Sequence, residues 1–296
     1  MEYLIAICIL NLGEKSMAKK RQSNEVFGAQ GDMMPKRNVM EEDFGFEIPT
    51  ETIPLPTRGI VYNVESSLHN REVVDIKAMT AKEEDILTSR ALIKKGTVIS
   101  ELISSCLIDK NIEVEDMLLG DRNAVMTALR ITGYGSEYSL NIECPECNKK
   151  SRQDFDLSKL PIKRLAIEPV AAGCNVFEFD LPVTKQTARF KFLTGKDEKE
   201  ISVVQERQKK QGQTSDNFVT TRLKYALIAV GKVKDKSKIQ MFISHMPARD
   251  SLALRKYMDK HEPGIEMKAW MQCPHCQESS EVRLPVGANF FWPDAQ

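Results

Sequence analysis

Cys144-Pro-Glu-Cys147 and Cys273-Pro-His-Cys276 are the residues of this 296-residue chain whose types and spacing are best suited to chemistry. Four thiolates delivered as two C-x-x-C pairs match the tetrahedral all-sulfur shell that Zn2+ prefers. One such pair would read equally well as a redox dithiol. Two with the same C-P-x-C grammar, each where one strand-like run turns into another, read as the two halves of a zinc ribbon. A shell of four cysteines keeps no open coordination position, so one Zn2+ per chain is expected to fold the protein rather than to catalyse. His275 could bind only by competing with a neighbouring thiolate and is not expected among the ligands. More than a hundred residues separate the pairs, where a compact ribbon has about fifteen to twenty.

An internal repeat accounts for that gap. Laying Cys144 on Cys273 fixes an offset of 129 residues, which also pairs Asp121 with Asp250, Ala124 with Ala253, Leu129 with Met258, Gly135 with Gly264 and Glu137 with Glu266. Upstream, Lys77-Ala-Met-Thr80-Ala-Lys82-Glu83-Glu84 echoes Lys191-Phe-Leu-Thr194-Gly-Lys196-Asp197-Glu198 at an offset of 114. Similarity at fixed offsets in the same order is the signature of a duplicated unit. The expected fold is α+β: two degenerate copies of a strand–helices–β-hairpin unit, joined by a four-cysteine zinc ribbon made from one knuckle of each copy. The domains are then a 1–43 arm, a first copy over 44–158, a linker over 159–175, a second copy over 176–285 and an aromatic tail over 286–296.

In chain order, Phe46–Ile48, Thr52–Leu55, Ile60–Tyr62 and Val73–Ile76 read as short strands punctuated by Pro and an Arg58-Gly59 turn. Thr80 with Glu83 has capping-box spacing and opens a helix over Ala81–Lys94. A second helix restarts after Gly96-Thr97 with Leu102, Ile103 and Cys106 inward, and a third spans Asp121–Ile131. Tyr138–Ile142 leads into the first knuckle. Val176–Leu181 and Ala188–Phe192 alternate as a hairpin, Thr194 caps a charged helix, and 217–230 reads as an apolar helix. Ile239–Met246 is short and apolar, and Asp250 caps a last helix to Lys260. After each second knuckle cysteine the backbone is expected at positive φ, which suits Asn148 better than Gln277.

Composition excludes several function classes. Lys and Arg total 42 and Asp and Glu total 42, so there is no electrostatic case for nucleic acid or an anionic membrane as bulk partner. A nucleic-acid-binding zinc ribbon is thereby the second reading. Cys8, Cys106 and Cys174 fall outside the metal pattern, and an odd cysteine count with metal-like spacing fits a reducing compartment. Tyr3–Leu12 is too short to span a bilayer and lacks a basic start, so residues 1–16 read as a mis-assigned start ahead of Met17. His69, His245, His261 and His275 sit in no nucleophile or metalloenzyme pattern, and no G-x-G-x-x-G or Walker sequence is present. No catalytic or small-molecule site is expected. Phe290-Phe291-Trp292 could fill a partner's pocket or pack on the protein's own ribbon.

Ile53-Pro-Leu-Pro-Thr-Arg-Gly-Ile-Val-Tyr62, Met79-Thr-Ala-Lys-Glu-Glu-Asp-Ile-Leu-Thr-Ser-Arg90, Leu118-Leu-Gly-Asp-Arg-Asn-Ala124 and Ile131-Thr-Gly-Tyr-Gly-Ser-Glu-Tyr138, followed by C-P-x-C, resemble the baseplate hub and hub-assembly proteins of T4-like contractile-tailed bacteriophages. The match is dense over residues 46–157. The resemblance implies a non-enzymatic tail component or assembly factor, with other baseplate hub and tail proteins as partners. It also implies assembly in the host cytoplasm, and leaves open both a lasting place in the virion tail baseplate and a role in assembly alone.

Overall fold

In the computed structural model the described residues are 45–210, 218–286 and 290–291. The 1–43 arm, Trp292 and the remainder of the tail lie outside them. The chain divides into two units, Met1–Pro49 and Thr50–Gln296. Of the first, residues 45–49 have no strand pairing, so the strand expected at Phe46–Ile48 is absent.

The larger unit is mixed α and β, with small antiparallel sheets. β1 (Thr50–Pro54) pairs with β2 (Val73–Lys77), setting Ile53 opposite Val74. The expected strand at Ile60–Tyr62 is instead a run of turns. Arg58 adopts φ 54°, and the N–H groups of Ile60 and Tyr62 bond to Thr57 O and Gly59 O. Local bonds of this kind use the groups a strand ladder would need.

Thr80 and Glu83 form the expected capping box at the start of α1 (Ala81–Thr88). Glu83 is fully buried, and it also receives Lys77 Nζ at 3.0 Å and Ser105 Oγ at 2.7 Å. Although burial raises its pKa, the Ser105, Thr80 and Lys77 bonds outweigh that and bring it down to about 2. A depressed acid contributes stability that is present above its unfolded value, 4.5, and lost as pH falls through the folded one. Acid titration of the wild type should therefore show a stability loss between pH 4.5 and 2. Glu83→Gln should flatten that window and cost about 1–3 kcal/mol at neutral pH, read by denaturant melts.

The helix expected to run to Lys94 breaks at Ser89, which has φ −64° and ψ 104°. Thr88 Oγ1 donates back to Glu84 O and Asp85 O, and a fresh helix, α2 (Arg90–Lys95), begins. α3 (Val98–Cys106) buries Leu102, Ile103 and Cys106 completely, with about 1.5–3 kcal/mol of apolar transfer for each side chain of Leu or Ile size. Leu107 then bridges back to Ile76.

α4 spans Leu119–Tyr134, longer than expected at both ends. Gly120 lies inside it because a Cβ there would sit 1.8 Å from Pro263 O. β3 (Glu137–Glu143) and β4 (Lys150–Asp156) form the hairpin of the first knuckle. Within the connector, β5 (Ile162–Lys163) pairs with β9 (Gly264–Ile265).

β6 (Phe177–Asp180), β7 (Thr187–Phe190) and β8 (Leu227–Val230) make a three-stranded sheet in that order. Between β7 and β8 lie α5 (Gly195–Lys210) and α6 (Phe218–Ala226). The apolar helix expected over 217–230 thus becomes strand from Leu227, because Phe190 and Leu227 pair across the sheet and tertiary pairing overrides local propensity. α7 (Lys236–His245) and α8 (Ala248–His261) follow. β10 (Lys268–Gln272) and β11 (Ser279–Arg283) carry the second knuckle. No helix among the described residues is long and apolar enough to cross a membrane.

Candidate metal centre

The two knuckles are built alike. Cys144 N–H donates to Lys149 O at 3.0 Å and Asn148 N–H to Cys144 O at 2.9 Å; Cys273 N–H donates to Glu278 O at 3.0 Å and Gln277 N–H to Cys273 O at 2.8 Å. Asn148 (φ 56°) and Gln277 (φ 65°) both take the left-handed conformation expected of them. These short bonds turn each cysteine pair toward one point, and Gln153 Nε2 reaches from the first hairpin to Gln272 O of the second at 3.4 Å.

The four sulfurs lie within 4.8 Å of one another. Cys144 Sγ is 3.8 Å from Cys276 Sγ, and Cys147 Sγ is 3.7 Å from Cys273 Sγ. A tetrahedron with metal–sulfur bonds of about 2.3 Å has edges of about 3.8 Å, so the donor set fits a tetrahedral ion. It does not fit disulfides, whose sulfurs approach to about 2 Å. The structure thus brings together all four cysteines singled out by spacing, and they could hold a metal ion. His275 is not in the cluster.

Charge supports the fit. The backbone N–H of Cys276 holds the Cys273 thiol down, to about 6. The backbone N–H of Glu278 pulls Cys276 down, but burial and the sulfurs of Cys273, Cys144 and Cys147 carry it up to about 12. Four clustered thiols cannot all ionise against one another, and a bound dication removes that obstacle. Cys106, by contrast, is a core thiol pushed up to about 11 by burial.

Three features of the scaffold have no signal in the cysteine pattern. Asp121 is completely buried in the first turn of α4. It accepts from Thr57 N at 3.0 Å, Thr57 Oγ1 at 2.6 Å and Tyr62 Oη at 2.6 Å. Asp250, expected to cap a helix, instead lies inside α8, whose N-cap is Pro247. Its carboxylate accepts from Val183 N at 2.7 Å and Thr184 N at 3.0 Å, so it anchors the β6–β7 turn.

Arg130 is also fully buried. It donates to Gly135 O (2.5 Å), Glu137 O (2.8 Å) and Phe290 O (2.8 Å). It therefore ties the end of α4 and the start of the first knuckle hairpin to the tail. Phe290 and Phe291 are both buried, with Phe290 edge-on to Tyr138 at 5.3 Å. Of the two outcomes open for the aromatic tail, these two rings pack on their own chain. Arg130→Met should cost about 1–3 kcal/mol in a denaturant melt, since it leaves the buried Phe290 carbonyl without its donor, while the Gly135 and Glu137 carbonyls belong to exposed residues.

Among comparisons with known proteins, residues 60–172 match the family model described as T4 bacteriophage base plate protein. That stretch is thus similar to T4 bacteriophage base plate proteins, and the match ends before the second knuckle. No curated protein and no solved structure gave a match.

Proposed function

We propose that this chain is a structural or assembly component of a phage tail baseplate hub, acting through protein–protein contacts and stabilised by one structural Zn2+ on Cys144, Cys147, Cys273 and Cys276. The observation that carries the reading is the family match over residues 60–172. The convergence of the four sulfurs supports a zinc whose role is to hold two distant hairpins as one body. A closed all-sulfur shell leaves no coordination position for a substrate, consistent with a non-enzymatic part. Its partners are other hub and tail proteins, met in the host cytoplasm during assembly and in the virion tail.

The same proposal includes the duplication, with copies over 44–158 and 176–285. Parallel local constructions support it. Lys77–Glu83–Thr80 has its like in Lys191–Asp197–Thr194, with Lys191 Nζ 2.8 Å from Asp197. Leu107 returns to Ile76 as Leu227 returns to Phe190. Asp121 and Asp250 each receive a turn N–H, from Thr57 and Val183 respectively.

The test is affinity capture of the full tagged chain from infected host cells, followed by imaging of purified particles. Co-purification of hub and tail proteins is expected. Capture of nucleic acid alone, with a salt-dependent gel shift, would replace this reading with a nucleic-acid-binding ribbon.

A further inference from the structure

Two clefts occupy matching places in the two proposed copies; α5 walls the first, and among the described residues no helix stands in the corresponding place at the second. The first, of about 670 Å³, is lined by Val98 and Ile99 of α3, by Asn123 and Met126 of α4, and by Gly195, Glu198, Lys199 and Ser202 of α5. The start of α5 is seated there by Leu119 N–H to Leu193 O and Gly195 N–H to Met117 O, both 3.0 Å.

The second cleft, of about 540 Å³, is lined by Phe218 and Val219 of α6 and by Leu252, Arg255 and Lys256 of α8. Phe218 and Val219 stand 120 residues after Val98 and Ile99, and Leu252 and Arg255 stand 129 after Asn123 and Met126. Here Phe218 remains 53% exposed and Leu252 45%. The cleft's charged lining is Arg222, Arg255, Lys256 and Arg283 against Asp259 and Glu262, an excess of positive charge, and apolar side chains left open beside it mark a docking surface.

The helix that should fill it is identified by the first cleft. α5 is the wall there, and its counterpart at the 114-residue offset is α1, so Ala81, Glu84, Asp85 and Thr88 stand for Gly195, Glu198, Lys199 and Ser202. All four are exposed on α1. Of their two carboxylates, that of Glu84 already accepts from Tyr134 Oη at 2.7 Å, and that of Asp85 complements Arg255, Lys256 and Arg283 of the second cleft.

Size agrees as well. A Cβ at Gly195 would come within 1.7 Å of Arg122 Nη1, so any larger residue there would have to displace that guanidinium. The counterpart of Arg122 is Ser251, a much smaller side chain, which leaves room for the methyl group of Ala81.

We propose that copies of this chain associate head to tail, the Ala81–Thr88 helix of one seating in the α6/α8 cleft of the next as α5 seats within the chain. The inference rests on the two-copy reading. Such a contact joins two different patches, so it builds a ring or a helical row rather than a closed two-fold dimer.

Sedimentation velocity of the full chain over a concentration series tests it. The expected result is self-association that weakens with salt, because ion pairs contribute. Leu252→Arg and Asp85→Lys, each shown to be folded by circular dichroism, should both weaken it by at least about tenfold. Mixed together, the two variants should form a one-to-one pair that grows no further, since one retains the helix and the other the cleft. Adding Arg255→Glu to Asp85→Lys should restore association.

A photo-crosslinking residue at position 252 should capture the 81–88 segment of another chain. A chain that stays monomeric, association untouched by both variants, or capture only of the same chain's residues 211–217 would overturn the proposal. If the chain stays monomeric while zinc is lost equally from variants of either knuckle, only the head-to-tail inference falls. If zinc depends on one knuckle alone, the two-copy reading beneath it falls.

Discussion

Cys144→Ser and Cys273→Ser are each expected to take bound zinc from about one ion per chain toward none and to lower Tm by on the order of 10 °C. The equality of the two effects follows from geometry. Each knuckle contributes one pair to the cluster, with contacts of 3.8 Å and 3.7 Å running between the knuckles, so losing a ligand from either opens the same shell. The metal's binding free energy is also folding free energy, because the unfolded chain holds no such site. Chelator treatment of the wild type should reproduce the loss, and zinc should reverse it. Cys106→Ser should leave metal content unchanged, since Cys106 lies in the core away from the cluster. Elemental analysis with thermal melts reads all four outcomes. An effect confined to one knuckle would sink the shared site.

Asp121→Ala should cost about 3–5 kcal/mol, because it leaves three buried neutral donors without their acceptor, at about 1–3 kcal/mol for each. The carboxylate takes three bonds, and its loss leaves Thr57 N, Thr57 Oγ1 and Tyr62 Oη without it in the interior. Asp250→Ala should cost less, about 2–3 kcal/mol, because only two backbone donors lose their partner.

Acid should separate the pair. Burial raises Asp121 despite the Thr57 and Tyr62 bonds, so its contribution is fully present below the ordinary carboxylate value and declines as pH rises through the folded one. Asp250 is also opposed by burial, yet the Val183 and Thr184 N–H groups carry it below the ordinary value. Its contribution is present above that value and lost as pH falls. Denaturant melts of the two variants between about pH 3 and 7 (roughly the range over which carboxylates titrate) should therefore diverge from wild type in opposite senses.

The cysteine ligand set, the capping boxes and the hairpins are legible because each is written in adjacent residues. C-P-x-C with a following positive-φ residue, Thr80 three positions before Glu83, and the alternation in Val176–Leu181 are all short-range codes. Ser89, Leu227 and Asp250 depart from their local patterns for one shared reason: what decides each is a partner distant in sequence or a competing side-chain bond. Leu227–Val230 is as apolar as a buried helix, and only the open edge of β7 makes it a strand. Arg130 looks like an exposed charge on a helix until three carbonyls from Gly135, Glu137 and Phe290 close over it.

By itself, then, the sequence determined which four sulfurs belong together and which segments start helices and turn strands, since ligand chemistry and capping act over a few residues. Tertiary structure alone decided that the sulfurs gather within 4.8 Å of one another and that Asp121 and Asp250 anchor turns 64 and 67 residues away. Those outcomes depend on close packing between remote elements, where burial sets the energy of every polar group, and no local pattern encodes what will lie opposite it.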